Sequence, residues 1–283
     1  SVRFMMDAPS NLTWNWKTQY YLNVTSPYGT PSGTGWYDAG STAYGSLEEG
    51  GSVQENLAYV FVNWTVDASG NALRTNPIRM DAPKDAVANW TVQYYVFTLD
   101  KSPRIGTMMV DNSTFDTFPV VEKWAPGSIH TVSVPAVETG GAGARYVFSQ
   151  WSDGSTLTDK VVAVEGPGGL TANYGTEYLL SVASEHGTTN GSGWYPGGTV
   201  ASFSVTPSAV RYEQWGIEYA FMRWHGSGPG ISFTGSMNPA TAVMTGPVQE
   251  RAEWEATMFY LDVISEIGEA YGAVSYTHLR AHE

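Results

Sequence analysis

The stretch YVFVNW, Tyr59 to Trp64, holds three aromatic side chains in six residues, and it returns as YVFSQW from Tyr146 to Trp151 and as YAFMRW from Tyr219 to Trp224. A site is usually built once, whereas an aromatic spacing that returns three times marks a repeated fold. Interiors hold most large aromatic side chains, so Tyr59, Phe61, Trp64 and Trp90, with their counterparts, are read as core, each able to bury about 150–250 Å².

Other landmarks keep step with the hexads. MDAP at Met6, MDAP at Met80, VEGP at Val164 and MTGP at Met244 each place a proline seven residues before an aromatic, at Trp16, Trp90, Tyr174 and Trp254. A new strand is predicted just after each: QYYLNV at Gln19, QYYVFT at Gln93, EYLLSV at Glu177 and MFYLDV at Met258, with periods of 74, 84 and 81 residues between Tyr20, Tyr94, Tyr178 and Phe259. The expected organisation is the C-terminal end of a truncated repeat (1–18), repeat one (19–92), a longer repeat two (93–176), repeat three (177–257) and the first strand of a truncated repeat (258–273). The strands Phe4 to Trp16 and Phe259 to Ile264 are expected to be loosely held or to pair with an exposed edge. Residues 274–283, VSYTHLRAHE, read as a sequencing-adapter read-through and are set aside.

Within each repeat apolar, β-branched and aromatic residues alternate over four to eight positions between Gly, Pro, Asn and Asp, and no window sustains a helical period. In VANW, Ala88 and Trp90 fall on one face and Val87 and Asn89 on the other; TANY repeats this with Ala172 and Tyr174. The fold class is therefore all-β, a tandem array of small β-sandwich or β-grasp-like modules with little or no helix. The connections KTQ, TVQ and GTE are expected to be very short linkers, so that three modules of about 30 Å in line make a rod of ~90 Å.

GTGWYDAGS, YVFVNW and MDAPKDAVANW together resemble the divergent internalin-B-type repeats (B-repeats) of bacterial and archaeal surface proteins. The resemblance covers the chain apart from its last ten residues and implies all-β or β-grasp-like modules, an extracellular or cell-surface address, and roles in adhesion or spacing. Repeat two departs from it by about 13 extra residues before its glycine turn, in which Asp111-Asn112 is predicted to turn a hairpin similar to those of PEGA-type surface modules.

Composition removes several classes of function. A formal charge of -13 repels nucleic acid and anionic membranes, and the absence of cysteine removes disulfides, thiolate metal sites and cysteine nucleophiles. No apolar run approaches the roughly 20 residues of a membrane span, and the N-terminus lacks the pattern of a signal peptide. His130, His186 and His225 fall in three different repeats, none beside a motif serine or in a metal pair, so no catalytic residue, metal or cofactor is assigned. The alternating oxygens of DASGN (Asp67) and WSDGSTLTD (Asp153, Asp159) are read as turns rather than calcium loops.

Two sets of candidate residues remain. If Tyr37, Tyr195 and Trp124 face the core at equivalent positions, then Trp36, Trp194 and Lys123 face away from it, and a position that accepts lysine is solvent-facing. Trp36 and Trp194 are thus either platforms for sugar rings or a protein partner, or packing against an adjoining repeat. Six asparagines, Asn11, Asn23, Asn63, Asn89, Asn112 and Asn190, stand in Asn-x-Ser/Thr and are candidate glycosylation sites, with Asn89 favoured by its outward position. The reading is a non-enzymatic spacer, stalk or adhesin segment of an exported cell-surface protein. Its partners are neighbouring repeats of the same chain and, beyond them, glycans or surface proteins. The alternative is a carbohydrate- or protein-binding module attached to an extracellular enzyme.

Overall fold

The computed structural model describes residues 3, 5–213, 216–261 and 274–276. No α-helix occurs among them; ten strands carry the architecture. They are β1 (Gln19–Thr25), β2 (Gly35–Asp38), β3 (Leu57–Val66), β4 (Lys84–Ser102), β5 (Val120–Trp124), β6 (Ala144–Trp151), β7 (Gly168–Ala183), β8 (Gly193–Pro196), β9 (Ile217–Ser227) and β10 (Val248–Leu261). The chain divides into two compact units. The first comprises Ser1–Leu99, Val121–His130 and Val161–Gly169, the second Asp100–Val120, Thr131–Lys160 and Leu170–Glu283.

The two units carry the same motif. In the first, β1 pairs antiparallel with β2 through Tyr20↔Tyr37 and parallel with the start of β4 through Val24↔Ala86, while β4 pairs antiparallel with β3. In the second, β7 pairs antiparallel with β8 through Tyr178↔Tyr195 and parallel with the start of β10 through Val182↔Glu250, and β10 pairs antiparallel with β9. Each of these two sets of strands covers one core. Leu22, Val24, Trp64, Met80, Ala86 and Ala88 lead the first, and Leu180, Val182, Phe203, Trp224, Met244 and Val248 the second.

A single irregularity explains how the hexad works. In a regular strand Phe61 and Trp64, three positions apart, point to opposite faces. The pairing of β3 with β4 shifts between Phe61 and Asn63, so Phe61 stands opposite Trp90 and Trp64 opposite Ala88, all on the core side. The same shift falls between Phe148 and Gln150 in β6 and between Phe221 and Arg223 in β9. The extra residue of each bulge, Val62, Ser149 or Met222, is exposed. Such a bulge re-aims a side chain at the expense of one ladder position. Its product is one aromatic triad built three times. Phe61 lies 5.6 Å from Trp64 and 5.9 Å from Trp90, Phe148 5.8 Å from Trp151 and 5.7 Å from Tyr174, and Phe221 5.3 Å from Trp224 and 6.0 Å from Trp254.

The MDAP-type landmarks have an equally local cause. Gly40, Gly127 and Gly198 adopt positive φ of 81°, 77° and 82°, where a side chain is strained, and each closes the turn after the GWY or EKW strand. Their N–H groups donate to the carbonyls of Met80, Val164 and Met244 at 2.7, 2.8 and 2.9 Å. Met80, Val164 and Met244 in turn donate to Ser41, Ser128 and Thr199, and their side chains are buried. The landmark is a two-bond clamp between a turn and the residue that leads into the next long strand.

Two expectations need correction. TVQ (Thr91–Gln93) and GTE (Gly175–Glu177) are not linkers, because β4 and β7 run through them unbroken. Each long strand closes one repeat and opens the next. The segment from Met5 to Trp16 forms no strand, and Trp14 and Trp16 are exposed, because the side that β3 covers on the corresponding residues of β4 has no partner among the described residues. Phe259–Leu261 pairs antiparallel with Val274–Tyr276, three residues that the sequence reading set aside; residues 262–264 of the last predicted strand lie outside the described residues. The hairpin of repeat two forms as the sequence predicts, with Val110 opposite Ser113 and Asp111 at φ 51° in a two-residue turn.

Candidate functional site

Cross-strand pairing fixes where the candidate tryptophans sit. Tyr37 faces inward and its hydroxyl donates to the Gly33 carbonyl at 2.8 Å; Tyr195 does the same to Gly191 at 2.9 Å. Their neighbours Trp36 and Trp194 therefore project from the opposite face, opposite Tyr21 and Leu179. Lys123, at the third such position, is exposed, with Nζ 5.0 Å from the centre of the Tyr94 ring.

The two tryptophans differ in cover. Trp36 is 66% exposed, touched edge-on by Tyr21 at 5.2 Å. Trp194 is 36% exposed because the Arg145 guanidinium, from the preceding repeat, stacks 4.5 Å from the centre of its ring. Arg145 is held there by Glu177, its cross-strand partner, through a 2.8 Å bond from Nε. A double-mutant cycle of Arg145→Ala and Trp194→Leu in urea denaturation should return a coupling of about 0.5–1 kcal/mol. Additive effects would mean that the stack holds nothing.

The six sequon asparagines are scattered. Asn11, Asn89, Asn112 and Asn190 are exposed and Asn23 and Asn63 half-buried. Asn89 and Asn63 lie directly opposite each other, and the Asn89 Nδ2, the atom a glycan takes, donates to Asn63 Oδ1 at 3.2 Å. One sheet position cannot seat two glycans, so at most one of these two is open to modification. Asn23 donates through Nδ2 to Asp85 at 2.9 Å.

The first hexad also departs from a pure core reading at its leading residue. Tyr59 is half-buried, stacks on Tyr28 at 4.2 Å, and lines an open cleft of about 460 Å³ with Gly29, Glu49, Gly51, Gln93 and Tyr94. The Tyr59 hydroxyl beside Tyr28 holds the Tyr28 phenol above its ordinary value. His186 takes the place of Tyr28 in repeat three, stacked on Tyr219 at 4.2 Å and edge-on to Trp254, as Tyr28 is to Trp90.

The three histidines of the described repeats stand apart from one another, each beside a different neighbour. His130 stacks on Trp124 at 4.1 Å, His186 is 3.0 Å from the Tyr212 hydroxyl, and His225 comes no nearer than 3.9 Å to Glu253. Arg223 holds the Glu253 carboxyl below its usual range. Asp153, weighed as a calcium ligand, is bound to Lys160 at 2.5 Å and to Ser155, which hold its carboxyl down at about 2. Its contribution to stability is present above the ordinary carboxylate range and is lost as pH falls toward 2. Asp67 accepts the Asp85 N–H at 2.9 Å, the role of a turn residue. Among the described residues no three His, Asp or Glu side chains gather to hold a metal.

Two features escaped the sequence reading. Lys101 and Glu250 are both buried, and no residue-type pattern around either marks it as internal. A signal existed for Glu250 alone: aligning the repeats puts it level with Ala86 and Leu170.

No family model and no curated protein matches the chain. Among solved structures it is similar to domains 3–4 of the Streptococcal High Identity Repeats in Tandem (SHIRT) of a cell-surface protein. That similarity has 14% identity over 56% of this chain and 97% of the other, at a TM-score of 0.18, an overlap too low to define a common fold.

Proposed function

We propose that the chain is a structural spacer or adhesin segment of an exported, cell-surface protein, built from repeats of the internalin-B type. The observation that carries this reading is the threefold aromatic triad with its bulge: the residues that recur are those that hold the modules together. The strands β4 and β7 each run unbroken from one repeat into the next, as the repeats of a continuous array would. Small-angle scattering is the test. Three modules in line give an elongated particle of ~90 Å, and a compact, folded-back particle would overturn the spacer.

One observation favours a second reading, a carbohydrate- or protein-binding module: Trp36 is exposed on the outer sheet face with Tyr21 set edge-on beside it. Binding on a glycan array that is lost in Trp36→Ala and kept in Trp194→Ala would select it. Intact mass of native material separates glycosylated from bare asparagines, with Asn11, Asn112 and Asn190 the most open acceptors.

A further inference from the structure

Repeat three breaks the internal pattern at one core position. Three residues after the landmark proline, repeat one has Ala86, repeat two Leu170 and repeat three Glu250, which is as buried as the others at 1% exposure. Glu250 lies on β10 between Val182 of β7 and Gly226 of β9. The Phe233 N–H donates to its Oε1 at 2.7 Å, while Oε2 has no partner among the described residues.

A second orphan sits beside it. Trp224 is two residues before Gly226 on the facing strand, and its Nε1 is likewise buried without a partner. In the other repeats the equivalent indole donates to a carbonyl of the segment that follows, Trp64 to Ala72 at 3.1 Å and Trp151 to Leu157 at 2.8 Å. The corresponding segment of repeat three, residues 228–235, turns its Phe233 amide to Glu250 instead.

The groups facing Glu250 are few. From β9 the nearest is His225, whose side chain is largely exposed; β7 offers Val182; and residues 229–235 contain no titratable side chain. On β10 itself Arg251 is engaged by Glu185, and the phenols of Tyr178 and Tyr195 border the same core. Burial pushes the Glu250 carboxyl up, with the Phe233 N–H and His225 pulling it back.

We propose that Glu250 is an acid-tightened latch: protonated, it closes the segment 228–235 onto the core of repeat three, and ionised, it lets that segment open. The direction follows from linkage. A carboxyl that holds its proton more firmly folded than unfolded favours the closed state in acid, and that advantage declines as pH rises through the folded value and then levels off.

Hydrogen exchange of the Phe233 amide, followed by NMR from about pH 4.5 to 8 and corrected for the intrinsic rate, tests the latch. In the native chain, protection is expected to fall several-fold as pH rises. Glu250→Gln keeps an acceptor for Phe233 and removes the charge, so its protection should be high and flat. His225→Gln should retain the fall. A native profile that is flat, a Glu250→Gln profile that falls in parallel with it, or a His225→Gln profile that loses the fall would each overturn the proposal, the last by assigning the switch to the imidazole.

Discussion

Truncating Trp64, Trp151 or Trp224 to alanine is expected to lower stability by about 3–5 kcal/mol at each site, the range for emptying a large aromatic from a close-packed core. All three are buried, and each is wedged against the phenylalanine that its bulge delivers to the same face. Replacement by phenylalanine separates them. At Trp64 and Trp151 it removes the indole N–H that serves Ala72 and Leu157, leaving a carbonyl short of a donor. At Trp224 the N–H has no partner among the described residues, so its removal relieves a desolvated donor, worth about 1–3 kcal/mol in the opposite direction. Trp224→Phe should therefore be the mildest of the three by a kilocalorie or more in urea denaturation. Equal losses at all three sites would show that the orphan indole carries no penalty.

This contrast marks how far residue patterns reach. The recurrence of YxFxxW and of the proline-to-aromatic spacing made the all-β class and the internal equivalences legible, because both are held by short-range geometry: one bulge, one positive-φ glycine, one clamp onto Met80, Val164 or Met244. The alternation rule also placed Trp36 and Trp194 on the outer face, since β2 and β8 are regular. It misplaced the continuity of the chain. TVQ and GTE look like linkers when repeats are counted as separate bodies, but extended backbone can leave one ladder and enter the next without a turn, and no residue in either triplet breaks a strand. The bulge itself was hidden, because Val62, Ser149 and Met222 share no chemistry; only the pairing of their neighbours reveals them. The different cover of Trp36 and Trp194 was equally out of reach, since Arg145 is 49 residues from Trp194 in sequence and meets it through Glu177.

Lys101 is the strongest case of a residue whose burial runs against its type, and its replacement by methionine should be among the most damaging single changes, at about 3–5 kcal/mol. The ammonium is fully enclosed. It donates to Glu138 Oε1 at 2.6 Å and to the Thr107 carbonyl at 2.9 Å, and lies 4.8 Å from the centre of the Tyr174 ring. Repeats one and three set Tyr28 and His186 edge-on to Trp90 and Trp254; repeat two sets this ammonium over Tyr174 instead. Burial, with the Glu138 charge adding to it, pushes the Tyr174 phenol well above its ordinary value, and its hydroxyl stays a donor to Pro135 at 2.7 Å. Methionine fills the space of the lysine stem but leaves the half-buried Glu138 carboxylate without its counter-charge and the Thr107 carbonyl without its donor. The loss should come mainly from that stranded carboxylate rather than from the missing attraction, because withdrawing two charges from water nearly cancels what they gain from each other. A double variant separates the two sources. Glu138→Gln keeps the acceptor for the Thr107 N–H, now 3.0 Å from Oε1, while removing the charge. Lys101→Met/Glu138→Gln should therefore recover most of what Lys101→Met loses. If the double variant is as unstable as the single one, the ammonium is held by its packing against Tyr174 and Phe118, 5.7 Å away on another side, and the ion pair is incidental to the fold of this repeat.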